Sequence, residues 1–191
     1  MTISAQRLSI SESGCAPSAG GIARHRMSLV RGALSVMAVA AIILALAVFG
    51  IARVEHDSMS PTLDGGDTVL FDRLSHPARG DVVLFVDRDG WSSVDDAILV
   101  KRVIGVSGDI VVCCEAGSGK LILNGTPLVE SYVSGARPGG LVPFRVTVAE
   151  GTVWVMGDNR TESIDSRSAV NGPTRGGVAI GDVRGVIRWH D

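Results

Sequence analysis

Three short segments of the sequence carry residue types that can do nucleophilic or acid–base chemistry. The first is His56-Asp57-Ser58-Met59-Ser60-Pro61-Thr62-Leu63, which puts a serine hydroxyl in a bent, hydrogen-bonding turn. Taken alone, it reads as an ordinary Ser/Pro loop. The second is Leu99-Val100-Lys101-Arg102-Val103-Ile104, a lysine inside a strongly apolar strand. A surface lysine snorkelling out of the strand is the ordinary reading. The sharper one is an amine held in an apolar pocket, where burial favours the neutral form. A lysine titrates near ~10.4 in water, and full burial lowers that by about 3–5 units. Such an amine can serve as a general base at neutral pH. The third segment, Gly157-Asp158-Asn159-Arg160-Thr161-Glu162-Ser163-Ile164-Asp165-Ser166-Arg167, is dense in small polar and charged groups. It reads either as a solvated loop or as an internally paired network able to hold a site rigid.

A histidine-based alternative has little to work with. His25 lies before the apolar span, His76 precedes Pro77 in a turn, and His190 is penultimate. Only His56 is near Ser58, and two positions along a strand separate side chains by roughly 6–7 Å.

These segments need a scaffold, and the sequence predicts one built of strands. Gly-Asp recurs at Gly66-Asp67, Gly80-Asp81, Gly108-Asp109 and Gly181-Asp182, each a turn releasing the chain into an apolar run. Strands are expected at Thr68–Asp72, Asp81–Asp87, Ile98–Gly105, Asp109–Cys114, Lys120–Leu123, Phe144–Val148, Val153–Met156 and Val183–Trp189. Ser134–Gly140 and Ala169–Gly177 read as irregular and exposed. Short strands with glycine-rich turns and no long amphipathic helix after Ala52 indicate an all-β sandwich or partly open barrel.

From Gly32 to Ala52 run 21 residues without a charge. A helix of that length crosses the ~30 Å hydrocarbon core of a bilayer. A cleaved secretory signal has a shorter apolar region, about 7–15 residues, so an uncleaved anchor is expected at 32–52. Before Gly32, four arginines (Arg7, Arg24, Arg26, Arg31) stand against Glu12, a balance of 4 − 1 = +3; the remainder carries 14 − 19 = −5. The arginines should hold residues 1–31, a basic disordered tail, in the cytoplasm and place 53–191 outside. No basic stripe with interleaved aromatics supports nucleic-acid binding. Cys15 falls in the tail; Cys113 and Cys114 are adjacent, and both a strained bond between neighbours and two partly buried thiols fit.

In this order, the three segments resemble the motifs of bacterial type I signal peptidases: Ser-Met-x-Pro-Thr-Leu, Lys-Arg-Val followed by Gly-Asp, and Gly-Asp-Asn-Arg-x-x-Ser-x-Asp-Ser-Arg. The resemblance covers roughly residues 30 to 191 and is supported by Asn124-Gly125 in a hairpin and Glu150-Gly151 before Val153. It implies a signal-peptidase-like all-β fold of antiparallel sheets, preceded by one transmembrane helix. It also implies a membrane-bound serine endopeptidase that cleaves signal peptides from exported preproteins at Ala-x-Ala-like sites. Ser58 would be the nucleophile and Lys101 the general base. Ser163 would orient the amine, and Asp158, Arg160, Asp165 and Arg167 would form a structural network, with Asp165 paired to Arg167. Val54, Met59, Leu63, Leu99 and Val100 would line shallow substrate pockets. The Ser58 backbone N–H would be one oxyanion donor. No metal or cofactor is implied; the partners are preproteins and the lipid bilayer, with the chain a monomer.

Two positions depart from the family pattern. His56 stands where many members have Ser, whose hydroxyl is a second oxyanion donor; His56 could donate through its ring or face solvent. Asp57 stands where Gly is common. Self-cleaving repressors, which also use a Ser–Lys pair on a β-fold, carry a DNA-binding helical unit not read here. A conjugation-associated peptidase of the same superfamily and a non-enzymatic anchored β-module that binds exported proteins remain the alternatives.

Overall fold

The computed structural model describes residues 19–133 and 137–191. Cys15 and most of the expected tail, and residues 134–136 of the loop expected at Ser134–Gly140, lie outside them.

One helix, α1, runs Ala19–Val48. Among the described residues it is long and apolar enough to cross a membrane. It begins inside the span expected as tail and ends four residues before residue 52, the expected end of the anchor. Residues Phe49–Arg53 form a strand instead, β1, paired antiparallel with β2 (Thr68–Asp72). Gly50 allows this, because a Cβ there would meet the Phe71 ring at 2.3 Å. Arg73 closes the helix end by donating from Nη1 to Leu46 O at 3.0 Å and to Phe49 O. Carbonyls left open at a helix C-terminus are thus satisfied by a cation.

Residues 45–191 contain the sheets. The remaining strands are β3 (Val82–Val86), β4 (Ile98–Val106), β5 (Ile110–Cys113), β6 (Leu121–Leu123), β7 (Thr126–Pro127), β8 (Phe144–Thr147), β9 (Thr152–Met156), β10 (Gly177–Ala179) and β11 (Val183–His190). A seven-stranded sheet has the order β1-β2-β11-β3-β4-β9-β10, and a four-stranded sheet the order β7-β6-β5-β8. All pairings are antiparallel, and the larger sheet stays open, with β1 and β10 as its edges. The protein beyond α1 is all-β, in agreement with the sequence pattern.

Both faces of the middle strands are covered. Along β9, Trp154 and Met156 pack with Val111, Leu121, Phe144 and Val146 of the smaller sheet, while Val153 and Val155 pack with Val83, Phe85 and Val103. A strand buried on both sides must be apolar at every position, as Thr152–Met156 nearly is. A third cluster holds Val54, Met59, Leu63 and Val69.

Three of these four Gly-Asp turns share one device. In each of the first three, glycine has positive φ, and the aspartate accepts from the N–H three residues before it: Asp64 for Asp67, Ala78 for Asp81, Val106 for Asp109. Gly181-Asp182 differs. It belongs to a single 3₁₀ turn, Ile180–Asp182, with Gly181 outside the positive-φ region. Cys113 and Cys114 lie side by side at the end of β5, with their sulfurs against each other.

Candidate active site

The Ser58 turn links β1 to β2. Its geometry is held by Ser60 N–H to Asp57 O at 3.1 Å, Thr62 and Leu63 N–H to Met59 O at 2.9 and 3.1 Å, and a bridge between Met59 and Leu63. Met59 and Leu63 are the turn's apolar pegs, at 0% and 1% exposure, sunk against Val54 and Val69. They anchor the serine's backbone to the core. Having almost no free surface, they form the floor of the site and not its open lining.

Lys101 comes to this turn from the middle of β4. Its partner across the sheet is Val83, and its own exposure is 4%. The amine Nζ lies 2.6 Å from Ser58 Oγ and donates to Val100 O at 3.0 Å. Burial is the main cause of a pKa lowered to about 8; Asp165 and Asp158 pull it back up, and Arg167 pushes it further down. A hydroxyl and an amine of depressed pKa in hydrogen-bond contact can exchange a proton near neutral pH.

The third segment closes the site from the end of β9. Gly157 is its tightest point: a Cβ there would meet Ser163 Oγ and Ser58 O, each at 2.3 Å. Asn159 binds the serine turn twice, from its N–H to Ser58 O at 3.2 Å and from Nδ2 to Asp57 O at 3.1 Å. Asp57 turns its carboxylate away from the hydroxyl, accepting from Gly65 N–H at 2.8 Å. The Ser58 N–H makes no hydrogen bond among the described residues.

Three arginines and three carboxylates surround this core. Arg167 pairs with Asp165 through Nε at 2.8 Å and Nη2 at 2.7 Å, and Asp165 also accepts from Gly157 N–H at 3.0 Å. Arg102 grips Asp158 through Nε at 2.8 Å and Nη2 at 2.6 Å, and Thr62 Oγ1 donates to the same carboxylate. Arg160 grips Glu130 at 3.0 and 2.6 Å and donates from Nε to Gly157 O at 3.1 Å. The Tyr132 ring lies 3.9 Å from the Arg102 guanidinium carbon, and its hydroxyl donates to Glu130 at 2.7 Å. Burial, with Glu130 close by, pushes that phenol's pKa up.

Most residues singled out in the sequence thus converge, with three differences. Ser163 Oγ is buried and has no hydrogen-bond partner among the described residues; the amine's bonds go to Ser58 and Val100. Leu99 packs with Val83, Phe85 and Val103, whereas Val100 packs with Val54, Met59 and Leu63. Consecutive strand residues point to opposite faces, so these two cannot line one wall. His56 is exposed. Sequence reasoning missed the parts of Arg102, Thr62, Glu130 and Tyr132. Arg102 and Thr62 stood inside the quoted motifs, but nothing in their spacing ties them to Asp158, and Glu130 and Tyr132 carry no pattern of their own.

Residues 26–189 match the family model described as signal peptidase, peptidase S26. The chain belongs to that family. Signal peptidase I of Mycobacterium tuberculosis (strain H37Rv) is 34% identical over 181 residues, covering 69% of this chain and 61% of that protein. Signal peptidase I U of Bacillus subtilis (strain 168) is 30% identical over 154 residues, covering 74% of this chain and 78% of that one. The crystal structure of a signal peptidase I from Enterococcus faecalis aligns with a TM-score of 0.46 at 29% identity, covering 60% of this chain and 98% of that chain. The match spans about three fifths of the length of the Mycobacterium tuberculosis relative.

Proposed function

We propose that this chain is a membrane-bound serine endopeptidase that removes N-terminal signal peptides from exported preproteins at Ala-x-Ala-like sites. The observation that carries the reading is the 2.6 Å contact between Ser58 Oγ and a Lys101 amine whose pKa burial has lowered to about 8. Family membership supplies the substrate class.

In this mechanism the neutral Lys101 amine takes the Ser58 proton as Oγ bonds to the scissile carbonyl carbon. The developing oxyanion is met by the free Ser58 N–H. The ammonium then gives its proton to the leaving amine as the peptide bond breaks, leaving an acyl-serine. The regenerated amine activates a water that hydrolyses the ester. Ser163, with its unpartnered buried hydroxyl beside Ser58 O, would take up the amine's remaining hydrogen bond and so orient the base. Without such a group a four-carbon stem samples many rotamers. Asp158, Arg160, Asp165 and Arg167 keep the segment after β9 in place, and the half-buried Val100 offers apolar surface to small side chains, whereas Val54 is buried with Met59 and Leu63.

The same reading places the chain in the cell membrane as a single-pass monomer, with a cytoplasmic N-terminus and residues 53–191 outside. Confinement of enzyme and signal peptide to one bilayer raises their encounter frequency. The test is cleavage of one signal-peptide substrate by the full chain in detergent. Wild type should process it, and Ser58→Ala and Lys101→Ala should each lose at least about 10³-fold while keeping their circular dichroism. Undiminished processing by a folded Lys101→Ala protein would sink the mechanism.

A further inference from the structure

The oxyanion donor of the proposed mechanism is the Ser58 N–H, and no side chain of its own can aim it. Its direction is set by the peptide plane it shares with the Asp57 carbonyl. The Asp57–Ser58 bond is trans. A trans peptide carries C=O and N–H on opposite edges of one plane. Whatever holds Asp57 O therefore also aims Ser58 N–H.

Asn159 reaches both peptide planes that flank Ser58. Its Nδ2 donates to Asp57 O at 3.1 Å, and its backbone N–H donates to Ser58 O at 3.2 Å. Two held planes leave Ser58 little freedom in φ and ψ, the only soft backbone dihedrals it has. The two grips act on different groups. The backbone grip survives any substitution at 159 except proline and keeps the serine beside Lys101. The side-chain grip bears on the plane that carries the N–H.

The amide is itself oriented. Thr161 Oγ1 donates to Asn159 Oδ1 at 3.2 Å, which turns Nδ2 toward Asp57 O. Turned over, the amide would set two acceptors against each other. Asn159 O accepts from Glu162 N–H and Ser163 N–H, each at 3.1 Å, so the residue is fixed to the segment after β9.

We propose that Asn159 is a positioning residue for the oxyanion donor, with Thr161 fixing its amide. The role rests on the peptidase reading above and acts through the Asp57–Ser58 peptide. A hydrogen bond on Asp57 O also polarises that peptide and makes Ser58 N–H the stronger donor. Ser60 N–H shares Asp57 O at 3.1 Å, so removing Nδ2 loosens the plane without freeing it. The loss should be about tenfold, below the 10²–10³ that follows outright removal of a donor. Asn159 carries no charge, and the Lys101 pKa is governed by burial, Asp165, Arg167 and Asp158. The rising limb of kcat/KM should therefore stay where it is.

The experiment uses the full chain in detergent and three ligands built on one signal-peptide sequence. They are the cleavable peptide, the same peptide with its scissile carbonyl reduced to methylene, and a peptide aldehyde ending at the scissile position. Ser58 Oγ adds to the aldehyde carbon, which puts the aldehyde oxygen where the oxyanion forms. Asn159→Ala should lose about tenfold in kcat and in aldehyde affinity. Its KM and its affinity for the reduced peptide should stay within about twofold, because the donor counts only as charge develops. Thr161→Val should lose about threefold on the same two readouts, and Thr161→Ser should recover the loss. Should Asn159→Ala fail to fold, Thr161→Val, which leaves every backbone bond in place, decides on those readouts. A wild type that neither cleaves the peptide nor binds the aldehyde overturns the peptidase reading itself. With an active wild type, a folded Asn159→Ala protein that equals it in kcat and aldehyde affinity overturns the positioning role alone. An equal fall in affinity for aldehyde and reduced peptide, or a displaced pH limb, does the same by marking a general loosening of the turn.

Discussion

Lys101 and Arg102 are neighbours on one strand, yet they sit in two regions with opposite physics. Both are cations taken largely out of water. Around Lys101 the immediate contacts are Ser58 Oγ and a backbone carbonyl, with no carboxylate in contact, and burial wins: the amine's pKa falls to about 8. Around Arg102 burial also acts to lower the pKa, but the two-point grip on Asp158 outweighs it and the pKa is raised. One backbone step therefore separates a cation prepared to lose its proton from one locked into its charge. The difference lies in the partners delivered by other segments, Ser58 from the turn before β2 and Asp158 from the end of β9.

The largest way to break this comparison is to remove the carboxylate that makes Arg102 stable. Asp158→Ala leaves a buried guanidinium without its partner and strips Thr62 of its acceptor. Loss of one member of a buried pair costs about 3–5 kcal/mol, so denaturant unfolding should show a shift of that order. Asp158 also raises the Lys101 pKa. In the folded fraction the activity limb should therefore move to lower pH. An unchanged unfolding midpoint would mean that water replaces the carboxylate.

A smaller effect of opposite sign is expected on the other side of the strand. Lys101 has a folded pKa of about 8 against an ordinary 10.5. Between those values the unfolded chain binds more protons than the folded one, so wild-type stability should rise as pH increases through that window. Below it, the buried ammonium is a standing cost. Lys101→Met keeps the length and removes the charge, and should stabilise the inactive protein by on the order of 1–3 kcal/mol at pH 7. The gain should shrink as pH approaches the unfolded value. A destabilised Lys101→Met protein would show that the charge is compensated in the folded state after all.

How far the sequence reveals this contrast depends on the range of the forces involved. Thr68–Asp72 is a strand both by pattern and in the structure, and Val153–Met156 lies within β9, because period and turn chemistry are local. Phe49–Arg53 is not legible, since Ile51 and Ala52 continue the apolar run of the helix and only pairing with Thr68–Asp72 makes them a strand. Gly177–Ala179 is missed for the same reason: three residues carry no period of their own. Ser58, Lys101 and Ser163 could be singled out as types. Their contacts could not, and Ser163 lacks the hydrogen bond expected of it. Glu130 and Tyr132 are legible only after folding, when Arg160 and Arg102 meet them across the site.

The smallest expected effect is at His56, two residues from Ser58. A ring N–H serving the oxyanion would have to be held toward the space in front of Ser58 N–H. In the structure His56 is exposed, and its ring makes no hydrogen bond among the described residues. Donors that count in catalysis are fixed before the reaction, because ordering them during it costs what they return. An untethered ring in water does not meet that condition. His56→Ala and His56→Ser should therefore both keep kcat within about twofold of wild type, where loss of a fixed donor costs about 10²–10³. Steady-state kinetics on one signal-peptide substrate decides the matter. A fall in kcat for His56→Ala with KM unchanged, restored by His56→Ser, would show a bond made only in the transition state. In that case the polar region around Ser58 would extend one side chain further than the unbound geometry places it.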